Sequence, residues 1–352
     1  MTAVPAAAAP AWPWPLGAVA SRRSHSQVRR VEPVRRPRPP VADLYATMRA
    51  ELPLLAPVVL HAPSPSALTA AWALARETWL ASAVPPQLRE AAVAGISAAN
   101  FCPYCEQTHS MFGAAASAGG DAELVRRYRA WGEATSHPRG AAPPSVEQAI
   151  DLAALAVGYH YVNRMVNVFL AKDQISLPRR LGRVRPLVEA AFTRVIARRL
   201  VAQSLVPGRA VELLPPAPLP VDLQWAAGEP RLAATLAGAA HLLDDGARHL
   251  SDSARRAVEQ RVQAWQGQPP GLSRAWVEQA LATVPDAERP PARLALLVAL
   301  ASYQVDDTTA AEARRWLGSD QQMIEVASWA AFLAARRVAT WCAPEVRTAR
   351  GA

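Results

Sequence analysis

A single break dictates the local fold of this chain. From Leu88 to Asn100 the sequence is rich in alanine, with Val93 and Ile96 its only β-branched residues, a composition that favours helix. Phe101-Cys102-Pro103 interrupts the run. Proline lacks the N–H that a helix interior needs, and it disfavours helical geometry in the residue before it. The same ring suits the first turn of a new helix. A second helix is therefore predicted from Pro103 to about Ala116, with Cys102 at its N-cap.

That break carries the chain's chemistry. Cys102 and Cys105 are spaced C-x-x-C, His109 follows Cys105 by four residues, and Glu90 precedes Cys102 by twelve. A thiol at a helix N-terminus meets unpaired N–H groups and the positive end of the dipole, which favour the thiolate. Cys105 and His109 share a helix face, so the imidazole can take the thiol's proton. The cysteines lie one turn apart, within reach of a disulfide once one is oxidised. Glu90, if its helix packs back antiparallel, supplies a second proton acceptor, directly or through water. Blander readings compete: two buried thiols acting as small hydrophobes, or a solvated Glu90. A structural zinc needs four ligands, and only the distant Cys342 remains to complete a set. The joint spacing favours a redox centre with no metal.

The same spacing resembles the active-site signature of the alkylhydroperoxidase D (AhpD-like) branch of the carboxymuconolactone decarboxylase family. The likeness covers Glu90, Cys102, Cys105 and His109 with every interval kept. FCPYC and the following MFGAAASAGGDAELV are similar too. It is specific over roughly residues 85–170 and thematic elsewhere. One departure is Tyr104, where some AhpD proteins carry a histidine between the cysteines; a phenol is no base near neutral pH. Any proton relay then rests on Glu90 and His109.

Composition narrows the class. Half of the 352 residues are hydrophobic, alanine and leucine dominate and β-branched runs are scarce, so the fold is expected to be all-α. Of the net charge of +9, residues 1–40 hold +6, from seven arginines against Glu32 alone. The basic signal belongs to that segment and predicts no specific nucleic-acid surface. Three cysteines, two in one motif, suit a reducing compartment. No apolar run approaches the roughly 18–20 residues that span a bilayer, and no secretory signal is recognisable. A cytoplasmic, non-membrane protein is expected. No Gly-rich phosphate loop or metal set suggests a cofactor.

Residues 1–40, rich in Ala, Pro and Arg, read as a disordered tail, with Trp12 and Trp14 inside it. Residues 41–212 form the expected redox domain. Its helices are predicted at about Val41–Leu52, Ser66–Ala81, from Asp121 to Trp131, from a Ser145–Gln148 capping box to Ala171, and over Arg185–Val206. Residues 213–223, LLPPAPLPVDL, read as a proline-rich linker. Residues 224–344 form a second helical domain, which looks like a degenerate repeat of the first. Aligning Tyr303 with Phe101 puts Gln304, Asp307 and Ala311 where Cys102, Cys105 and His109 stand.

Within the long helix after the motif, Tyr159, Asn163 and Asn167 form an i, i+4, i+8 stripe, and His160 pairs with Arg164. The resemblance places this helix beside the active site. Tyr104, His160, Asn163 and Arg164 are therefore candidate pocket residues, against the alternative that the buried polar groups satisfy one another.

The resemblance implies an antiparallel helical bundle that reduces hydroperoxides through a Cys102–Cys105 disulfide. An external dithiol, a protein or a lipoyl-type donor, would recycle the pair in a homo-oligomeric assembly. The nearer histidine leans the peroxidatic role to Cys105; Cys102 has the helix terminus and the greater expected exposure. Two other readings are a lactone-decarboxylase-like lyase, whose chemistry needs no C-x-x-C pair, and a non-enzymatic helical redox sensor.

Overall fold

Proline opens several of the helices. In a computed structural model, which describes residues 14–116, 121–138, 142–171, 194–195, 198–199 and 205–343, Pro65, Pro86, Pro103, Pro230 and Pro290 each lie in a first turn, where no N–H is missed. The site-bearing half contains α1 (Trp14–Gln27), α2 (Val41–Glu51), α3 (Ala56–Val59), α4 (Pro65–Leu74), α5 (Pro86–Ala99), α6 (Pro103–Ala116), α7 (Ala122–Ala134) and α8 (Ala149–Phe169). After them come α9 (Pro230–Asp244), α10 (Asp252–Ala264), α11 (Ala275–Ala280), α12 (Arg289–Ala301), α13 (Asp307–Leu317) and α14 (Asp320–Cys342). The fold is all-α; among the described residues the extended pairing is limited to a bridge between Val28 and Leu170. No described helix is long and apolar enough to cross a membrane.

Small residues set the packing around α5. α6 folds back along it, and α7 crosses it so closely that a Cβ on Gly95 would stand 2.1 Å from the Arg129 carbonyl oxygen. A Cβ on Gly132 would stand equally close to that of Ala92. α8 contacts α5 and packs along α14, which also packs on α12. The buried side chains form one cluster from Val31 to Cys342. Residues 213–223 pack within this body: Leu214 and Leu223 are buried, and a Cβ on Gly238 would stand 3.1 Å from the Pro215 carbonyl oxygen.

Residues 14–40 depart from the disordered tail that their composition suggested. The Ser24 hydroxyl donates to the Leu54 carbonyl at 2.6 Å, Val31 is buried, and Arg30 donates to the Val168 carbonyl at 2.7 Å while pairing with Asp307. Those partners are remote in sequence, so composition could not reveal them. Residues 1–13, with Trp12, and most of the helix expected over Arg185–Val206 lie outside the described residues. Half of the expected capping box is present, the Ser145 hydroxyl accepting from Gln148 N–H at 3.4 Å, although α8 begins only at Ala149. The Gln148 side-chain Oε1 accepts from the Tyr128 hydroxyl at 2.7 Å instead of reaching back to close the box.

Candidate active site

Four elements bring the motif residues together. α5 carries Glu90, the break places Cys102 just before α6, and α6 carries Cys105 and His109. The fourth was not legible in the sequence. Beyond α4 the chain widens into a π-helical turn, Ala75–Leu80, that aims Trp79 at the site. Gly158 of α8 admits this turn: a Cβ there would stand 2.6 Å from the Thr78 hydroxyl.

Glu90 is almost fully buried and surrounded by donors. One carboxylate oxygen meets His109 Nδ1 at 2.6 Å; the other accepts from Trp79 Nε1 at 2.8 Å and Arg89 Nε at 3.2 Å. Burial alone would raise its pKa. The charge and hydrogen bond of His109, the charge of Arg89 and the indole N–H outweigh burial and leave Glu90 below its ordinary value. An ionised Glu90 fixes the proton of His109 on Nδ1, which leaves Nε2 as the basic nitrogen.

Cys102 Sγ and Cys105 Sγ stand 2.8 Å apart as free thiols. The backbone of the break holds them there: the Cys102 N–H donates to the Ser97 carbonyl, and its own carbonyl accepts from Glu106 N–H at the start of α6. Both thiols are buried, at 1% and 2% exposure, so Cys102 lacks the greater exposure expected of it. Burial and the adjacent Cys102 push the Cys105 thiol well up, so its ionisation calls for a base.

A cavity of about 210 Å³ opens onto Cys105 and His109. Its walls are mainly apolar, with Trp72, Trp79, Phe112, Tyr159 and Val162, and α1 closes one side through Ala20 and Ser24. Tyr104 lines it as well, its hydroxyl 3.4 Å from the Gln27 side-chain oxygen. Among the described residues no three His, Cys, Asp or Glu side chains gather as a metal set would.

The other pocket candidates point elsewhere. His160 Nε2 meets the Thr135 hydroxyl at 2.9 Å, and Nδ1 meets the Asn100 side chain. Burial, then the charge of Arg164, hold its pKa well down. Arg164 donates to Asn100 Oδ1 and to the Ala299 carbonyl, both at 2.8 Å, and Asn163 accepts from Ser97. These three side chains tie α8 to α5, α7 and α12, while Gly158, Tyr159 and Val162 of α8 line the cavity. Helical spacing had grouped them without saying which face turned inward.

The chain is 36% identical, over 332 residues, to the alkyl hydroperoxide reductase Rv2159c of Mycobacterium tuberculosis, covering 89% of this chain and 94% of that protein. This chain belongs to the AhpD-like family. No family model matches it, and no solved structure does. Two members of this AhpD-like site escaped sequence reasoning: Trp79, which sits in an irregular turn with no motif of its own, and Arg89, which looks like any helix-surface charge. Adjacency to Glu90 was the only signal available for Arg89.

Proposed function

We propose that this protein is a thiol-dependent peroxidase that reduces hydroperoxides with its Cys102–Cys105 pair. The observation that carries the reading is the shared cavity: Cys105 and His109 open onto it, Glu90 holds His109 from behind, and Cys102 Sγ stands 2.8 Å from Cys105 Sγ. In the first step His109 Nε2 takes the Cys105 proton. The thiolate attacks the terminal peroxide oxygen, an S–O bond forms as O–O breaks, and an alcohol and a sulfenic acid result. The Cys102 thiol then displaces water from that sulfur to give the disulfide, which an external dithiol, a protein or a lipoyl-type donor, reduces by exchange. The name of the mycobacterial relative is in keeping with this reaction. The same reading takes the protein as a cytoplasmic homo-oligomer without cofactor. It treats residues 224–344 as a degenerate repeat of the first helical domain that has lost the redox groups.

The test is peroxide consumption with a dithiol reductant. Wild type turns over and accumulates the Cys102–Cys105 disulfide when reductant is withheld. Cys105→Ser is inert, and Cys102→Ser stops at a sulfenic acid that dimedone traps. A wild type that consumes no peroxide, with thiols that resist oxidation, overturns the reading.

A further inference from the structure

The peroxidase reading leaves one reaction partner unassigned. As the O–O bond breaks, negative charge grows on the departing oxygen, and the Trp72, Trp79, Phe112 and Val162 walls of the cavity do nothing to stabilise that charge. Such a site needs a hydrogen-bond donor within the cavity that can reach the departing oxygen.

Tyr159 meets that need. It is 6% exposed, lines the cavity with Cys105 and His109, and stands edge-on to the His109 ring at 4.9 Å and to the Trp79 ring at 6.0 Å. Three other tyrosines packed into the described body bind neighbours: Tyr161 donates to Ser328, Tyr128 to Gln148 and Tyr104 to Gln27. The Tyr159 hydroxyl makes no hydrogen bond to any described residue, and Tyr159 lines the cavity; the Tyr45 hydroxyl, also unpartnered, is sealed in the interior away from it. A buried polar group left open towards an apolar cavity is a group waiting for a ligand. Burial, then the charges of Glu90 and Cys105, hold its pKa well above the ordinary value. That environment favours the protonated phenol, which donates to an oxyanion.

We propose that Tyr159 is a catalytic residue of the peroxide-reducing step, donating a hydrogen bond from its hydroxyl to the leaving oxygen of an organic hydroperoxide held in the cavity. This assignment rests on the peroxidase reading. In the step, Cys105 sulfur gains the terminal OH, the alkoxide departs with the O–O electron pair, and the proton that His109 took from Cys105 passes to that alkoxide. Tyr159 keeps its own proton throughout and lowers the energy of the developing charge.

The test pairs Tyr159→Phe with two oxidants of different leaving groups. Pre-reduced wild type and Y159F are each mixed with cumene hydroperoxide or with peracetic acid in single turnover, and disulfide formation is followed. The carboxylate leaving from a peracid stabilises its own charge and gains little from a donor. Y159F should therefore be slowed about 10- to 100-fold with cumene hydroperoxide and less than about threefold with peracetic acid. Reduction of its preformed disulfide by dithiothreitol should match wild type. Equal slowing with both oxidants would mark a structural role and overturn the assignment, as would unchanged rates with both. A wild type that forms no disulfide with either oxidant overturns the peroxidase reading itself and the assignment with it.

Discussion

At the end of α5 the break consists of Phe101, Cys102 and Pro103. At the end of α12 it is longer, a 3-10 turn Ser302–Gln304 followed by Val305 and Asp306. The rings of Phe101 and Tyr303 meet across the molecule with centroids 4.7 Å apart. That contact supports Phe101 in the left-handed region (φ 51°), a conformation that costs a residue with a Cβ about 1–2 kcal/mol. α8 serves both breaks. Arg164 donates to Asn100 at one and to the Ala299 carbonyl at the other, and Asn167 donates to the Asn100 carbonyl and to Ser302. Two helix C-termini, each the negative end of a dipole, thus face one buried guanidinium, which explains how Arg164 is held by carbonyl and amide oxygens. The difference lies inside the pairs. α5 buries Glu90 because three donors surround it, whereas the interior of α12 is apolar, with Leu294, Leu296 and Leu297 fully buried. The shared scaffold tolerates a buried charge only where a complete set of partners accompanies it.

The comparison is broken most sharply at Glu90. Glu90→Gln keeps an acceptor for His109 Nδ1 but leaves no negative charge to balance an imidazolium, so kcat/KM for peroxide should fall about 100-fold. A change in the second break, Gln304→Ala, should leave turnover within about twofold. Because the folded state holds Glu90 below its ordinary value, its contribution to stability is present above the ordinary carboxylate range. It is lost as the pH falls through the depressed value. Acid unfolding of E90Q should therefore lack that part of the wild-type pH dependence. Turnover at the wild-type rate in E90Q would remove Glu90 from the relay.

Arg164→Met tests whether the two breaks are coupled. It removes the donor shared by Asn100 and the Ala299 carbonyl and returns the cost of burying a cation, which holds the Arg164 pKa down at about 9. Leaving buried acceptors unpaired costs more than that return, and a net loss of about 2–3 kcal/mol is expected in urea unfolding. Hydrogen exchange should rise at the ends of both α5 and α12. A rise at α5 alone would show that each break stands independently.

How much was readable beforehand follows from the same contrast. Helix ends marked by proline, and the intervals among Glu90, Cys102, Cys105 and His109, are local properties, and the α6 range Pro103–Ala116 matches its expected one. The facing of α8 was not local: a stripe at helical spacing includes Tyr159 and Asn163 alike, yet Tyr159 turns to the cavity and Asn163 to Ser97. The π-helical turn that delivers Trp79 left no trace in composition, because its geometry depends on Gly158 in another helix. The arginine-rich segment read as disorder because its partners, Leu54, Val168 and Asp307, lie far along the chain.

The smallest effect concerns the residue that begins each second helix. Cys102 precedes α6, and Asp306 precedes α13 and accepts from Thr309 N–H at 2.8 Å. A carboxylate is the stronger cap, and α13 has one. Burial works against ionisation of Asp306; the Thr309 backbone and hydroxyl and the Arg274 guanidinium overcome it and bring its pKa down to about 2. Its contribution is thus complete above the ordinary aspartate range near 3.8 and disappears as the pH falls from there through about 2. Asp306→Ala should cost about 1 kcal/mol at neutral pH, the usual worth of an N-cap, and the gap from wild type should close as the pH approaches 2. Urea titrations at pH 7, 4 and 2.5 measure this. A gap that persists at the lowest pH would assign the loss to packing around Arg274 rather than to the charged cap.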